Sequence, residues 1–141
     1  MRDLRTITLD DARRVIAAAE RRAEDIGSPS NVAVVDVGGS LVAHIRMDAA
    51  QLGSIEHSID KAFTSAFYRS VTADLAQDTR PDGQFGGMAL SNRGRVLVFA
   101  GGVPLTDADG TIIGAVGVSG GSREQDTTVA EAAAALLDAA A

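Results

Sequence analysis

The run GGVPLTDADGTIIGAVGVSGGSREQD, Gly101–Asp126, decides how this chain folds. A Gly-Gly pair opens it and a short apolar piece, Val103–Thr106, follows. Asp109-Gly110 is a strong hairpin-turn dipeptide. Beyond the turn, Thr111–Ser119 is continuously apolar and β-branched, which predicts a strand covered on both faces. Gly114, Gly117 and Gly120 lie in or beside that strand. Glycine weakens a strand interior and marks a place where another group comes close, so the strand is expected to be central and to lie under something. A second Gly-Gly pair then leads to Glu124 and Asp126, whose charges suit the positive end of an Ala-rich helix over 124–138.

Working outward, Val96–Phe99 reads as a strand feeding this hairpin. The preceding Asp78–Arg95 carries Pro81 and several glycines without periodicity. A loop of that length in a small domain suggests a mobile or functional segment. Val71–Ala76 reads as a short helix capped by Thr72. A helix over 55–69 is predicted from Ile55, Ile59, Ala62, Phe63, Ala66 and Phe67 at helical spacing. Two short apolar runs, Asn31–Asp36 and Leu41–Met47, flank Val37-Gly38-Gly39-Ser40 and read as a β-hairpin. At the start, Thr8 caps a helix over 9–26 whose stripe is Leu9, Ala12, Val15, Ile16, Ala19, Ala23 and Ile26; Gly27 and Pro29 end it. Hairpins demand antiparallel pairing. The expectation is an α+β fold, a single five-stranded antiparallel sheet flanked by helices, of the general profilin/PAS shape.

The 141 residues are expected to form one domain, 1–141, large enough to bury a core without staples. There are no cysteines, which excludes disulfides and thiolate chemistry. A net charge of −6 disfavours nucleic acid, which needs a basic stripe. No window is long and apolar enough for a membrane span, and the charged N-terminus has no signal-like apolar region. The expectation is therefore a soluble, cytoplasmic protein without membrane or nucleic-acid partners.

The serial pieces ITLDDARRVIAAAE (7–20), VAVVDVGGSLVAHIRMDAA (32–50), SIEHSIDKAFTSA (54–66), FAGGVPL (99–105) and IIGAVGVSGGSREQD (112–126) resemble the GlcG/HbpS family, in order and with compatible spacing. The same kind of domain stands at the C-terminus of a class of corrinoid adenosyltransferases. The resemblance spans roughly residues 7–137. It implies a profilin-like fold, self-association into dimers or larger rings and, in some members, binding of haem or a related ligand. It implies no single shared activity.

Several residues are candidates for chemistry. His57, Lys61, Thr64 and Tyr68 recur at i, i+4, i+7 and i+11 and so share one stripe of the helix over 55–69. The stripe reads either as the polar wall of a ligand pocket or as a solvated face. The family resemblance favours Lys61, which falls within a matching segment. A buried Lys61 would need a carboxylate partner or a shifted pKa, and Asp36, Asp48 and Glu56 are the candidates. Arg46 serves either as a bidentate anchor for a propionate or carboxylate or as a partner of Asp48. If haem binds, His44 and His57 are the first iron-ligand candidates, with Met47, Met88 and Tyr68 behind them. The two histidines lack the pairing of a dedicated zinc site. The resemblance draws Gly102, Pro104, Gly117, Ser119 and Gly120 towards a pocket lining. No Walker or dinucleotide signature accompanies these glycines. Ser119 lacks a nucleophile elbow. Glu124 and Asp126 read as helix-start charges. Three functions stay open: a self-associating small-molecule binder for haem or a related tetrapyrrole; a cofactor-independent enzyme in which Lys61, His57 and Asp36 or Asp48 move protons on a small carbonyl or hydroxy-acid compound; and an assembly or regulatory partner domain without a ligand, whose Ala-rich helices would allow close subunit packing.

Overall fold

A computed structural model describes residues 1–139. The elements are α1 (Leu9–Asp25), β1 (Asn31–Asp36), β2 (Leu41–Arg46), α2 (Ser54–Tyr68), β3 (Gly102–Thr106), β4 (Ile112–Ser119) and α3 (Arg123–Ala139). Short 3-10 turns occupy Thr72–Leu75, Met88–Leu90 and Asn92–Gly94. None of the described helices is long and apolar enough to cross a membrane.

The strands form one antiparallel sheet in the order β2-β1-β4-β3. Strand alternation divides the core between its faces. Val32 and Val34 of β1, with Val116 and Val118 of β4, pack with Val15 and Ala19 of α1 and Val129 and Ala133 of α3. Ala33, Val35 and Ala115 face the other way, onto Ala62 and Ala66 of α2. The α2 side of the sheet is thus built from small residues, and the helix lies almost on the backbone. A Cβ at Gly117 would collide with Ser58 O and lie 2.6 Å from Ala62 N. Gly117 of the central strand makes room for α2.

The N-cap of α1 is as expected: Thr8 Oγ1 accepts a hydrogen bond from the Asp11 N–H at 3.1 Å. The sheet has four strands, not five. Residues 96–99 run alongside α2 outside the sheet because side-chain hydroxyls take the backbone groups that a ladder would use. Thr64 Oγ1 accepts from Leu97 N–H at 2.9 Å and donates to Arg95 O at 3.3 Å. Thr72 Oγ1 accepts from Gly102 N–H at 3.0 Å and donates to Phe99 O at 2.7 Å. Both threonines are buried. Thr64→Val, close in shape, would leave Leu97 N–H without its acceptor. It is expected to cost about 1–3 kcal/mol and to speed amide hydrogen exchange at Leu97 before that of β1 and β4. Unchanged exchange at Leu97 would show that the hydroxyl does not hold this segment.

Candidate functional site

A cleft of about 350 Å³ opens where the N-terminal half of α2 meets the end of β4 and the first turn of α3. His57 and Lys61 line it from α2, Ser119 and Gly120 from the end of β4, and Arg123 and Asp126 from α3. Gln51, Ser54, Phe99, Ala100 and Gly121 complete the lining.

At the inner end lies a buried ion pair. Lys61 Nζ donates to Asp126 Oδ2 at 3.1 Å and to Val118 O at 2.9 Å. The two side chains retain 3% and 6% of their exposure, a depth at which charged groups persist only when paired. Each has a second anchor. The Lys61 ammonium holds the carbonyl near the end of β4, and Asp126 Oδ1 accepts from Gly121 N–H at 2.9 Å, fastening the loop before α3. An ammonium carries three donors, so one N–H of Lys61 is not committed to these partners. Burial pushes the Lys61 pKa below its ordinary value, against the pull of Asp126. Burial likewise raises that of Asp126, opposed chiefly by Lys61. Desolvation thus narrows the gap between acid and base.

The backbone around this pair is shaped to admit it. Gly101 has φ +124°, and a Cβ there would collide with Val118 O and sit 3.1 Å from Lys61 Nζ. The start of α3 is fixed by a reciprocal cap. Ser122 N–H donates to Gln125 Oε1 at 2.9 Å and Gln125 N–H donates to Ser122 Oγ at 3.2 Å. This is a capping box written in the sequence as Ser122-Arg-Glu-Gln125, and it aims Asp126 back under the loop.

His57 stands at the mouth. It is exposed, meets Phe99 edge-on with centroids 6.1 Å apart, and makes no side-chain hydrogen bond among the described residues. Phe99 itself is 58% exposed. Arg123 is also at the rim, its side chain 79% exposed and only 3.9 Å from Glu124, a contact worth little in water. Asn31, directly opposite Ser119 in the sheet, donates from Nδ2 to Gln51 O at 2.9 Å. Its buried Oδ1 has no partner among the described residues.

The structure thus brings His57, Lys61, Ser119 and Gly120 together and separates them from the other sequence candidates. The stripe on α2 divides: Lys61 and Thr64 are buried, His57 is exposed, and Tyr68 is half-buried with its hydroxyl 2.8 Å from Asn92 Oδ1. Thr64 holds residues 95–97, as above. Gly102 and Gly117 lie against α2, whose backbone occupies the space a ligand would need. Pro104 lies on the edge strand β3, paired with Ala115. Asp36 closes the turn after β1, its Oδ1 accepting from the N–H groups of Gly38 and Ser40 at 2.9 Å each. Asp48 and Arg46 are exposed and form no ion pair, with each other or otherwise, among the described residues. His44 Nε2 is 3.2 Å from Ser58 Oγ, and burial, then Arg46, lowers its pKa. The carboxylate partner of Lys61 is therefore Asp126, not Asp36, Asp48 or Glu56. One signal for its importance was present: the chain has 13 basic residues, and Lys61 is the single lysine among them.

Residues 7–135 match the family described as haem degrading protein HbpS-like. The chain is 40% identical over 128 residues, 91% of its own length and 89% of the other's, to an uncharacterized 15.0 kDa protein from a dhaT-dhaS intergenic region of Citrobacter freundii. Among solved structures, the ORFY protein of Klebsiella pneumoniae superposes with a TM-score of 0.94 at 34% identity, covering 99% of this chain and 95% of that one. A PduOC:haem complex superposes with a TM-score of 0.87 at 34% identity, covering 92% of this chain and 94% of that one.

Proposed function

The chain belongs to the HbpS-like family, and from that premise we propose that it is a self-associating small-molecule-binding domain whose cleft takes haem or a related tetrapyrrole. One observation carries the reading. At the cleft mouth an exposed imidazole, His57, has no side-chain hydrogen-bond partner among the described residues and stands beside an exposed aromatic ring, Phe99. A neutral imidazole is a common haem-iron ligand, and an apolar ring covers a macrocycle face. Arg123 at the same rim suits a propionate. The donor set therefore fits the group: His57 would hold the iron and Arg123 a carboxylate, while haem when bound would supply the redox and ligand chemistry. His44 fits less well, since its ring already contacts Ser58. The cleft, about 350 Å³, is at the small end of ligand pockets. It would hold one side of a macrocycle, and a second copy of the chain would cover the other. The likeness to a structurally similar domain in complex with haem supports the choice of ligand.

Titration of the purified protein with haemin is expected to give a saturable Soret change at a fixed stoichiometry. His57→Ala is expected to weaken binding about tenfold or more, equivalent to ~1.4 kcal/mol, while His44→Ala leaves it unchanged. A titration without saturation overturns the reading, and a loss confined to His44→Ala moves the iron to β2. Light scattering during size-exclusion chromatography tests self-association, which a monomer at all concentrations would refute.

A second reading has its own observation. A buried acid and base, Asp126 and Lys61, face the same cleft as His57. This favours a proton-transfer enzyme acting on a small carbonyl or hydroxy-acid compound.

A further inference from the structure

We propose that Lys61 is a carbonyl-condensing amine: the inner cleft takes a small 2-oxo acid, whose keto carbon forms an imine with Lys61 Nζ while Arg123 holds its carboxylate. The inference deepens the second reading of the cleft and rests on it.

Three observations combine. Lys61 is buried yet belongs to the lining of the cleft. Its anion, Asp126, is 3.1 Å away and is held in place by the Gly121 N–H, so it can exchange a proton with the amine without moving. The cleft has a second cation, Arg123, at its exposed rim, with no strong partner of its own. The Lys61–Asp126 pair is electrically neutral as a unit. It therefore does not compete with Arg123 for an anion, and its uncommitted N–H suits an uncharged carbonyl oxygen. A molecule with a keto group at one end and a carboxylate at the other matches that polarity.

The step balances with these groups alone. The Lys61 ammonium gives one proton to the Asp126 carboxylate, and the neutral amine attacks the keto carbon, forming the N–C bond. The added nitrogen loses a proton to the former keto oxygen. Asp126 then protonates that hydroxyl, which leaves as water as the C–O bond breaks. The products are a protonated imine on Lys61, ionised Asp126 and one water, with the charge unchanged and no oxidant or reductant consumed. Desolvation that depresses the lysine pKa makes the neutral amine easier to reach.

Because Lys61 is the single lysine, the test is unusually clean. The folded protein is incubated with pyruvate and sodium cyanoborohydride, and the adduct is located by peptide mass spectrometry. The expected result is one reduced pyruvate adduct on Lys61, formed faster than any adduct on the terminal amine. Acetaldehyde, which lacks the carboxylate, is expected to label Lys61 more slowly relative to the terminal amine. Asp126→Asn, nearly isosteric, should slow Lys61 labelling by about 100-fold, the lower end of a general acid–base contribution. Lys61→Arg keeps a buried cation and should abolish the internal adduct while circular dichroism reports a folded protein. Labelling confined to the terminal amine overturns the proposal, as does labelling of Lys61 only after urea denaturation. Deuterium exchange at the pyruvate methyl, followed by NMR in the same samples, separates the two levels. Exchange above background without an adduct sinks the imine and spares the acid–base reading, whereas absence of both sinks the two together.

Discussion

Lys61→Met is expected to destabilise the protein by about 3–5 kcal/mol, because it leaves the Asp126 carboxylate buried without its cation. The loss comes less from the pair's own attraction than from stranding one largely desolvated charge. Asp126→Leu should be similarly damaging for the converse reason, and it also frees the Gly121 N–H. Replacing both partners by apolar side chains, Lys61→Met with Asp126→Leu, removes both charges and is expected to recover most of the loss. The recovery should fall short by about 1 kcal/mol or more, since Val118 O and Gly121 N–H lose their side-chain partners in the double variant. Urea denaturation of the four proteins closes a double-mutant cycle. Strictly additive single losses would show that the pair is not coupled, and with it would fall the shared-proton arrangement on which the second reading of the cleft depends.

Gly117→Ala is expected to cost about 3 kcal/mol or more, or to prevent folding. The effect is steric and involves no unusual φ. A methyl group at this position meets Ser58 O and would lie 2.6 Å from Ala62 N, both backbone atoms of α2. Neither moves unless the whole helix lifts off the sheet. Lifting α2 would also separate Lys61 from Val118 O and Asp126, so haemin or pyruvate tests on this variant should fail along with its stability. Gly53→Ala is the matched control. A Cβ there has no neighbour within 4 Å, and a change within about 0.5 kcal/mol is expected. If thermal unfolding shows the two variants equally stable, the close seating of α2 on β4 is wrong.

Single elements are legible in the sequence where a local rule is enough. The α1 helix and its Thr8 cap follow from spacing and one hydroxyl, and the β1–β2 and β3–β4 hairpins follow from turn residues between apolar runs. The glycines of 114–120 announced close approach, and Gly117 makes it with α2. Residues 96–99 show where a local rule fails. Val96, Leu97, Val98 and Phe99 have strand-like side chains, but pairing is decided by which backbone partner is nearest, and that partner is a threonine hydroxyl from α2 or the turn after it.

The functional residues divide along the same line. By itself the sequence determined the α+β class, the helix that carries the site, and the candidacy of His57 and Lys61. The serial motifs pointed to the family that residues 7–135 match. Only the tertiary structure decided that Lys61 pairs with Asp126, 65 residues away, and that Asp36, Asp48, Thr64 and Tyr68 lie outside the cleft lining. The physical reason is range. Helical and strand periodicities are written by neighbours within a turn or two of chain. A buried charge takes as its partner whatever the packing of distant elements brings within about 3 Å, and α2 and α3 meet at the end of β4 only once the sheet between them has formed.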